Sequence, residues 1–68
     1  MQMIPVTSSD LASVGYENRT LYIAFNSGGV YAYAGVSESL YRQLLAASSK
    51  GKFFHAYIKG VYPYQRIG

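Results

Sequence analysis

Thr20-Leu21-Tyr22-Ile23-Ala24-Phe25-Asn26-Ser27-Gly28-Gly29-Val30-Tyr31-Ala32-Tyr33-Ala34 is the stretch whose reading decides the fold. Its first six residues alternate. Leu21, Ile23 and Phe25 face one way, and Thr20, Tyr22 and Ala24 face the other, which predicts a strand over 20–25. Asn26 to Gly29 carry turn chemistry, and another strand is expected over 30–36. Two registers of this hairpin are open. A two- or four-residue loop pairs Phe25 with Val30 and turns Tyr31 and Tyr33 away from the core. A three-residue loop, Asn26-Ser27-Gly28 with Gly28 left-handed, pairs Phe25 with Gly29; Ile23 then faces Tyr31 and Leu21 faces Tyr33. One residue of slip exchanges the two faces. The second register is favoured, because rings over Leu21 and Ile23 bury more area than alanines would, and glycine at 28 suits a bulge.

Working outward, Ser13 to Glu17 also alternates, with Val14 and Tyr16 on one side. Asn18-Arg19 has the length of a two-residue hairpin turn, although arginine is a poor residue for positive φ. Asn18-Arg19-Thr20 also spells a glycosylation sequon, read here as the tight turn. Met3 to Val6 is short and apolar, and Pro5 confines it to an edge or an extended arm. Thr7 to Asp10 reads as a polar turn, in which Ser8 or Ser9 is a possible cap for one helical turn through Leu11 and Ala12.

C-terminal to the hairpin the period changes. Ser37 is a good N-cap, Glu38 suits the first turn, and Val36 with Tyr41 occupies the hydrophobic-staple positions. Leu40, Leu44 and Ala47 with Tyr41 and Leu45 form an apolar stripe, so a helix is expected to run to about Ser48-Ser49. A second helix is expected from about Lys50 to Lys59, capped by Ser48 or Ser49 and stopped by Gly60. Phe53, Phe54, Tyr57 and Ile58 take one of its faces; Lys52, His55 and Lys59 take another. Val61 to Ile67 is extended, and Pro63 keeps it from a central strand, so it is expected as an edge or a docked tail. The expected architecture is a small α+β domain, with an antiparallel meander of about three strands, two helices covering one face, and a C-terminal extended segment.

Sixty-eight residues make one domain, 1–68, and 50% apolar with 13% charged residues marks it as globular. With no cysteine or tryptophan, eight tyrosines and three phenylalanines must fill much of the core. The first residues have neither a basic lead nor a long apolar run, and no stretch reaches a membrane-spanning length, so a cytoplasmic protein without a membrane partner is expected. The net charge is +3, unevenly spread. Asp10, Glu17 and Glu38 are the only acids, and from Ser39 onward Arg42, Lys50, Lys52, Lys59 and Arg66 have no acid among them. This one-sidedness favours an anionic partner.

Ser8-Ser9, Leu11, Val14-Gly15-Tyr16, Leu21-x-Ile23-x-Phe25, Gly29-Val30-Tyr31-x-Tyr33, Leu44-Leu45-x-Ala47-x-Ser49-Lys50-Gly51-x-Phe53-Phe54 and Tyr62-Pro63-Tyr64-x-Arg66-Ile67 together resemble the KTSC domain. That family occurs at the C-terminus of some lysyl-tRNA synthetases and as small stand-alone bacterial and phage-related proteins. Its central Tyr-x-Tyr is matched by Tyr31 and Tyr33. The resemblance covers nearly the whole chain. It implies a small α+β domain and, from the synthetase context, RNA binding. Lys59 stands where family members often carry arginine, which keeps the charge and loses the guanidinium fork.

Enzyme chemistry finds little support. His55 is the only histidine. A Ser8 or Ser9, His55, Asp10 set has no supporting spacing, and there is no nucleophile elbow. Neither a metal site, a cofactor motif nor a phosphate loop can be written, and no small-molecule substrate is expected. A non-catalytic binding module is the expected function, with RNA or another polyanion as partner. The expected contacts are Lys50, Lys52, His55, Lys59 and Arg66 for phosphate, and Tyr31 and Tyr33 for stacking. Core packing competes for Tyr31 and Tyr33 and is favoured in so small a domain; Tyr62 and Tyr64 are expected to dock rather than bind. The alternative partner is a protein or a second copy, met through an exposed Tyr22 face or a free strand edge.

Overall fold

The computed structural model covers residues 1–68. Five strands follow in order, β1 (Ile4–Pro5), β2 (Leu11–Glu17), β3 (Thr20–Phe25), β4 (Val30–Ala34) and β5 (Tyr64–Arg66), with α1 (Glu38–Ala46) and α2 (Lys50–Tyr57) between β4 and β5. They form one antiparallel sheet in the spatial order β1-β2-β3-β4-β5. The α+β class holds, but the meander has five strands rather than about three. The two additions are a two-residue strand at Pro5 and a three-residue strand after Pro63, and both stand at sheet edges, where a missing N–H costs least.

The β3–β4 hairpin takes the register that puts the tyrosines inward: Leu21 pairs with Tyr33 and Ile23 with Tyr31. Phe25 N–H donates to Gly29 carbonyl at 3.1 Å, and Gly28 has φ 104°. The β2–β3 turn places Asn18 and Arg19 at φ 53° and 59°, the twist that matches a two-residue hairpin.

At the start of β2 the polar segment bends at Ser9-Asp10, and the alternative of a helical turn is not realised. No helical turn runs through Leu11 and Ala12; both are in the strand, and the Ser8 hydroxyl accepts the N–H groups of Asp10 and Leu11, each at 3.2 Å. Leu11 pairs with Phe25 and Ser13 with Ala24, so Ala12 is the extra residue of a bulge. The bulge lets Leu11 and Val14, three apart, both be fully buried on the same face.

Ser37 caps α1, its hydroxyl accepting Leu40 N–H at 3.1 Å, and Ser49 caps α2 through Lys52 N–H. α1 ends at Ala46, slightly before the expected stop. Leu44 from α1 and Phe54 and Ile58 from the α2 end meet Leu11, Val14, Leu21, Ile23, Tyr33 and Val36 in a single core on one sheet face. Tyr16 stacks on Tyr41 with centroids 5.0 Å apart and donates its hydroxyl to Val36 carbonyl at 2.6 Å, tying β2 to the α1 start. On the opposite face Tyr22 is half-buried, not exposed. Its cross-strand neighbour Gly15 is covered by the Met1 and Met3 sulfurs. No helix is long and apolar enough to cross a membrane.

Candidate nucleic-acid interface

Burial along the inward face fades toward β5. Tyr33 is 5% exposed, Tyr31 is half-buried, and Tyr64, directly across from Tyr33, is 64% exposed. The helices cover the middle of the sheet and leave the β4–β5 side open. There Phe25, Tyr31, Tyr64, Tyr33 and Phe54 form a closed circuit of rings. Successive centroids lie 5.5, 5.6, 5.6, 5.4 and 5.5 Å apart, every pair tilted or edge to face. All five line a cleft of about 330 Å³ whose remaining wall is Asp10, Ser27, Gly28, His55 and Lys59. Arg66, paired across from Tyr31, holds its guanidinium 5.9 Å from the Tyr31 ring centre.

Asp10 is placed by three bonds. Its N–H donates to Ser8 Oγ, its carbonyl accepts Asn26 N–H at 2.9 Å, and its Oδ2 lies 3.1 Å from His55 Nε2. The last contact joins the start of β2 to the middle of α2. Ser8 Oγ accepts the N–H groups of Asp10 and Leu11, and no hydrogen bond joins Ser8 or Ser9 to His55. Burial, and then the neighbouring Tyr64 and Tyr31 phenols, raise Tyr33 above the usual tyrosine pKa.

A second recess, of about 540 Å³, opens at the α2 N-terminus between Thr7, Ser8, Ser9, Ser48, Ser49, Lys50, Gly51 and Lys52. It shares Asp10 and His55 with the aromatic cleft, so the two depressions meet at that pair. Lys50 is partly committed, since its ammonium donates to Ala47 carbonyl at 3.1 Å.

The expected contact residues therefore gather on one side of the molecule. Tyr31, Tyr33, His55 and Lys59 line the cleft, Arg66 lies over Tyr31, and Lys50 and Lys52 line the adjoining recess. The expectation of an unneutralised C-terminal half needs correction at two points: Glu38 pairs with Arg42 at 2.9 Å one turn along α1, and folding brings Asp10 to His55, whereas Lys50, Lys52, Lys59 and Arg66 make no ion pair with an acid. Sequence reasoning missed Asp10, Phe25 and Phe54 as cleft residues; Tyr64, expected to dock, does pack against Tyr31 and Tyr33 and so joins the cleft. The shared inward face of Phe25, Tyr31 and Tyr33 was visible in the register. The approach of Asp10, 45 positions before His55, had no local signal.

The model of the KTSC domain matches residues 7–62. A crystal structure of a KTSC domain protein from Yersinia pestis superposes with a TM-score of 0.96 at 43% identity, covering 98% of this chain and 97% of the other. An uncharacterised protein of Stutzerimonas stutzeri is 37% identical over 98% of this chain and 99% of its own length. A lysine–tRNA ligase of Trichormus variabilis is 41% identical over 49 residues, 72% of this chain; the matched part is only 9% of that ligase. The family model spans β2 to α2, the superposition and the full-length relative extend over nearly the whole chain, β5 included, and the chain belongs to the KTSC domain family.

Proposed function

We propose that this domain is a non-catalytic binding module for single-stranded nucleic acid, RNA foremost. The observation that carries the proposal is the open side of the ring circuit, Tyr64 and the half-buried Tyr31, with Lys59 and Arg66 at its rim. A π-surface beside cations is the arrangement by which single strands are held with little reference to sequence, each stacked base contributing ~1–3 kcal/mol. One base enters the cleft against Tyr31 and Tyr64, and the flanking phosphates lie against Lys59, Arg66 and Lys52. The likeness to part of a lysine–tRNA ligase supports RNA over DNA.

The test is fluorescence anisotropy with short labelled RNAs across a salt series. Binding should weaken steeply with salt, at a log–log slope of roughly −0.7 per neutralised phosphate. A Lys50/Lys52/Lys59 triple alanine variant should flatten that slope, and Tyr64→Ala should weaken binding about 5- to 100-fold while leaving the slope in place. Absence of binding at low salt, together with concentration-dependent mass, would replace this reading with self-association.

A further inference from the structure

We infer that the Asp10 carboxylate makes the cleft selective for guanine, an inference that rests on the nucleic-acid reading above. Asp10 is the only acid in the cleft wall, and it stands where a phosphate-binding surface gains nothing from negative charge. It is also held firmly. Ser8 and Asn26 fix its backbone on both sides, and His55 fixes one carboxylate oxygen. An ionised carboxylate only accepts hydrogen bonds and has about four lone-pair positions. His55 occupies one at Oδ2, and Oδ1 makes no hydrogen bond within the chain.

Among the bases, guanine alone offers two parallel donors on one edge, N1–H and the N2 amino group, matched to the two oxygens of a carboxylate. Uracil's single N3–H is flanked by two carbonyl oxygens that a carboxylate repels. Cytosine and adenine each present one amino group beside an acceptor nitrogen. Guanine also carries O6 next to N1, an acceptor for an ammonium. Lys59 lines the same cleft and makes no ion pair with an acid of this chain. A base stacked on Tyr31 or Tyr64 with its Watson–Crick edge toward Asp10 thus meets a fixed acceptor pair and a mobile donor. The carboxylate also turns phosphate away from that corner, which orients the strand with its base inward.

The experiment compares uridine pentamers that differ only at the central base, UUGUU, UUAUU, UUCUU and UUUUU, with a central inosine as fifth probe. The protein is the unaltered full chain, read by anisotropy at low salt. UUGUU should bind about 5- to 100-fold more tightly than the other three natural bases. Inosine, which keeps N1–H and O6 but lacks the N2 amino group, should fall several-fold below guanosine. Asp10→Asn should erase the order of preference while keeping the salt slope, its fold checked by amide NMR. If that substitution disturbs the fold, the inosine comparison on the unaltered chain still decides. Equal binding of all four natural pentamers with a steep salt slope overturns the guanine inference and leaves the proposed function standing. Equal binding of inosine and guanosine overturns the carboxylate fork. No binding of any pentamer overturns both readings.

Discussion

Tyr33 sits where the core becomes the cleft, with Leu21 paired beside it, Phe54 packed edge-on and Tyr64 leaning over it. Its hydroxyl titrates above the ordinary value of 10.0, first because it is buried and then because the Tyr64 and Tyr31 phenols stand near. The folded state therefore holds this proton more tightly than the unfolded chain does. The associated stability is fully present below about pH 10 and is lost as pH rises through the folded-state value. Tyr41, raised by burial alone, contributes in the same direction. Urea-denaturation midpoints measured through a pH series should be steady to about pH 10 and then fall. Tyr33→Phe should shallow that fall, because phenylalanine has no proton to lose, while Tyr41 keeps it from vanishing. An unchanged alkaline decline in the Tyr33→Phe variant would show that this phenol is not linked to folding.

At the scale of elements, the β2–β3 hairpin carries a local conflict. Asn18 and Arg19 both have positive φ, and arginine has neither the freedom of glycine nor the short polar side chain of asparagine. Arg19 is exposed, and its carbonyl accepts Val36 N–H at 2.9 Å, a bond that any residue can make. Arg19→Gly should raise stability by up to ~1 kcal/mol, seen as a higher urea midpoint with the same slope. A lower midpoint would mean that the side chain has a role the backbone does not reveal. This turn was legible in the sequence because its length and position between alternating runs left little choice. The β3–β4 register was legible because only one pairing places large rings over Leu21 and Ile23. The start of β2 was not, since the bulge at Ala12 breaks the two-residue period and leaves Leu11 looking out of step with Val14. β1 and β5 are too short for periodicity to register and are recruited by pairing with longer neighbours. The cleft draws Asp10, Phe25, Tyr31, Phe54 and Tyr64 from separate segments, and only tertiary packing joins them.

For the whole molecule, the core and the cleft share walls, and Phe54 is common to both. It is 2% exposed, belongs to the buried cluster, and packs edge-on against Phe25 and Tyr33 at 5.5 and 5.4 Å. A 68-residue domain has a total stability of roughly 3–10 kcal/mol, and truncating a buried phenylalanine removes ~3–5 kcal/mol of it. Phe54→Ala should therefore be largely unfolded or close to its midpoint in water, with collapsed amide dispersion. Tyr64 belongs to the same ring circuit but is mostly exposed, so Tyr64→Ala should stay within about 1 kcal/mol of the parent. Both truncations remove one ring from the same circuit, which makes the comparison a test of how far the core extends into the cleft. Urea unfolding of both, beside amide spectra, decides it. A Phe54→Ala protein that unfolds cooperatively near the parent midpoint would place the stabilising packing elsewhere. A Tyr64→Ala protein that fails to fold would make β5 part of the core rather than a strand laid along its open edge.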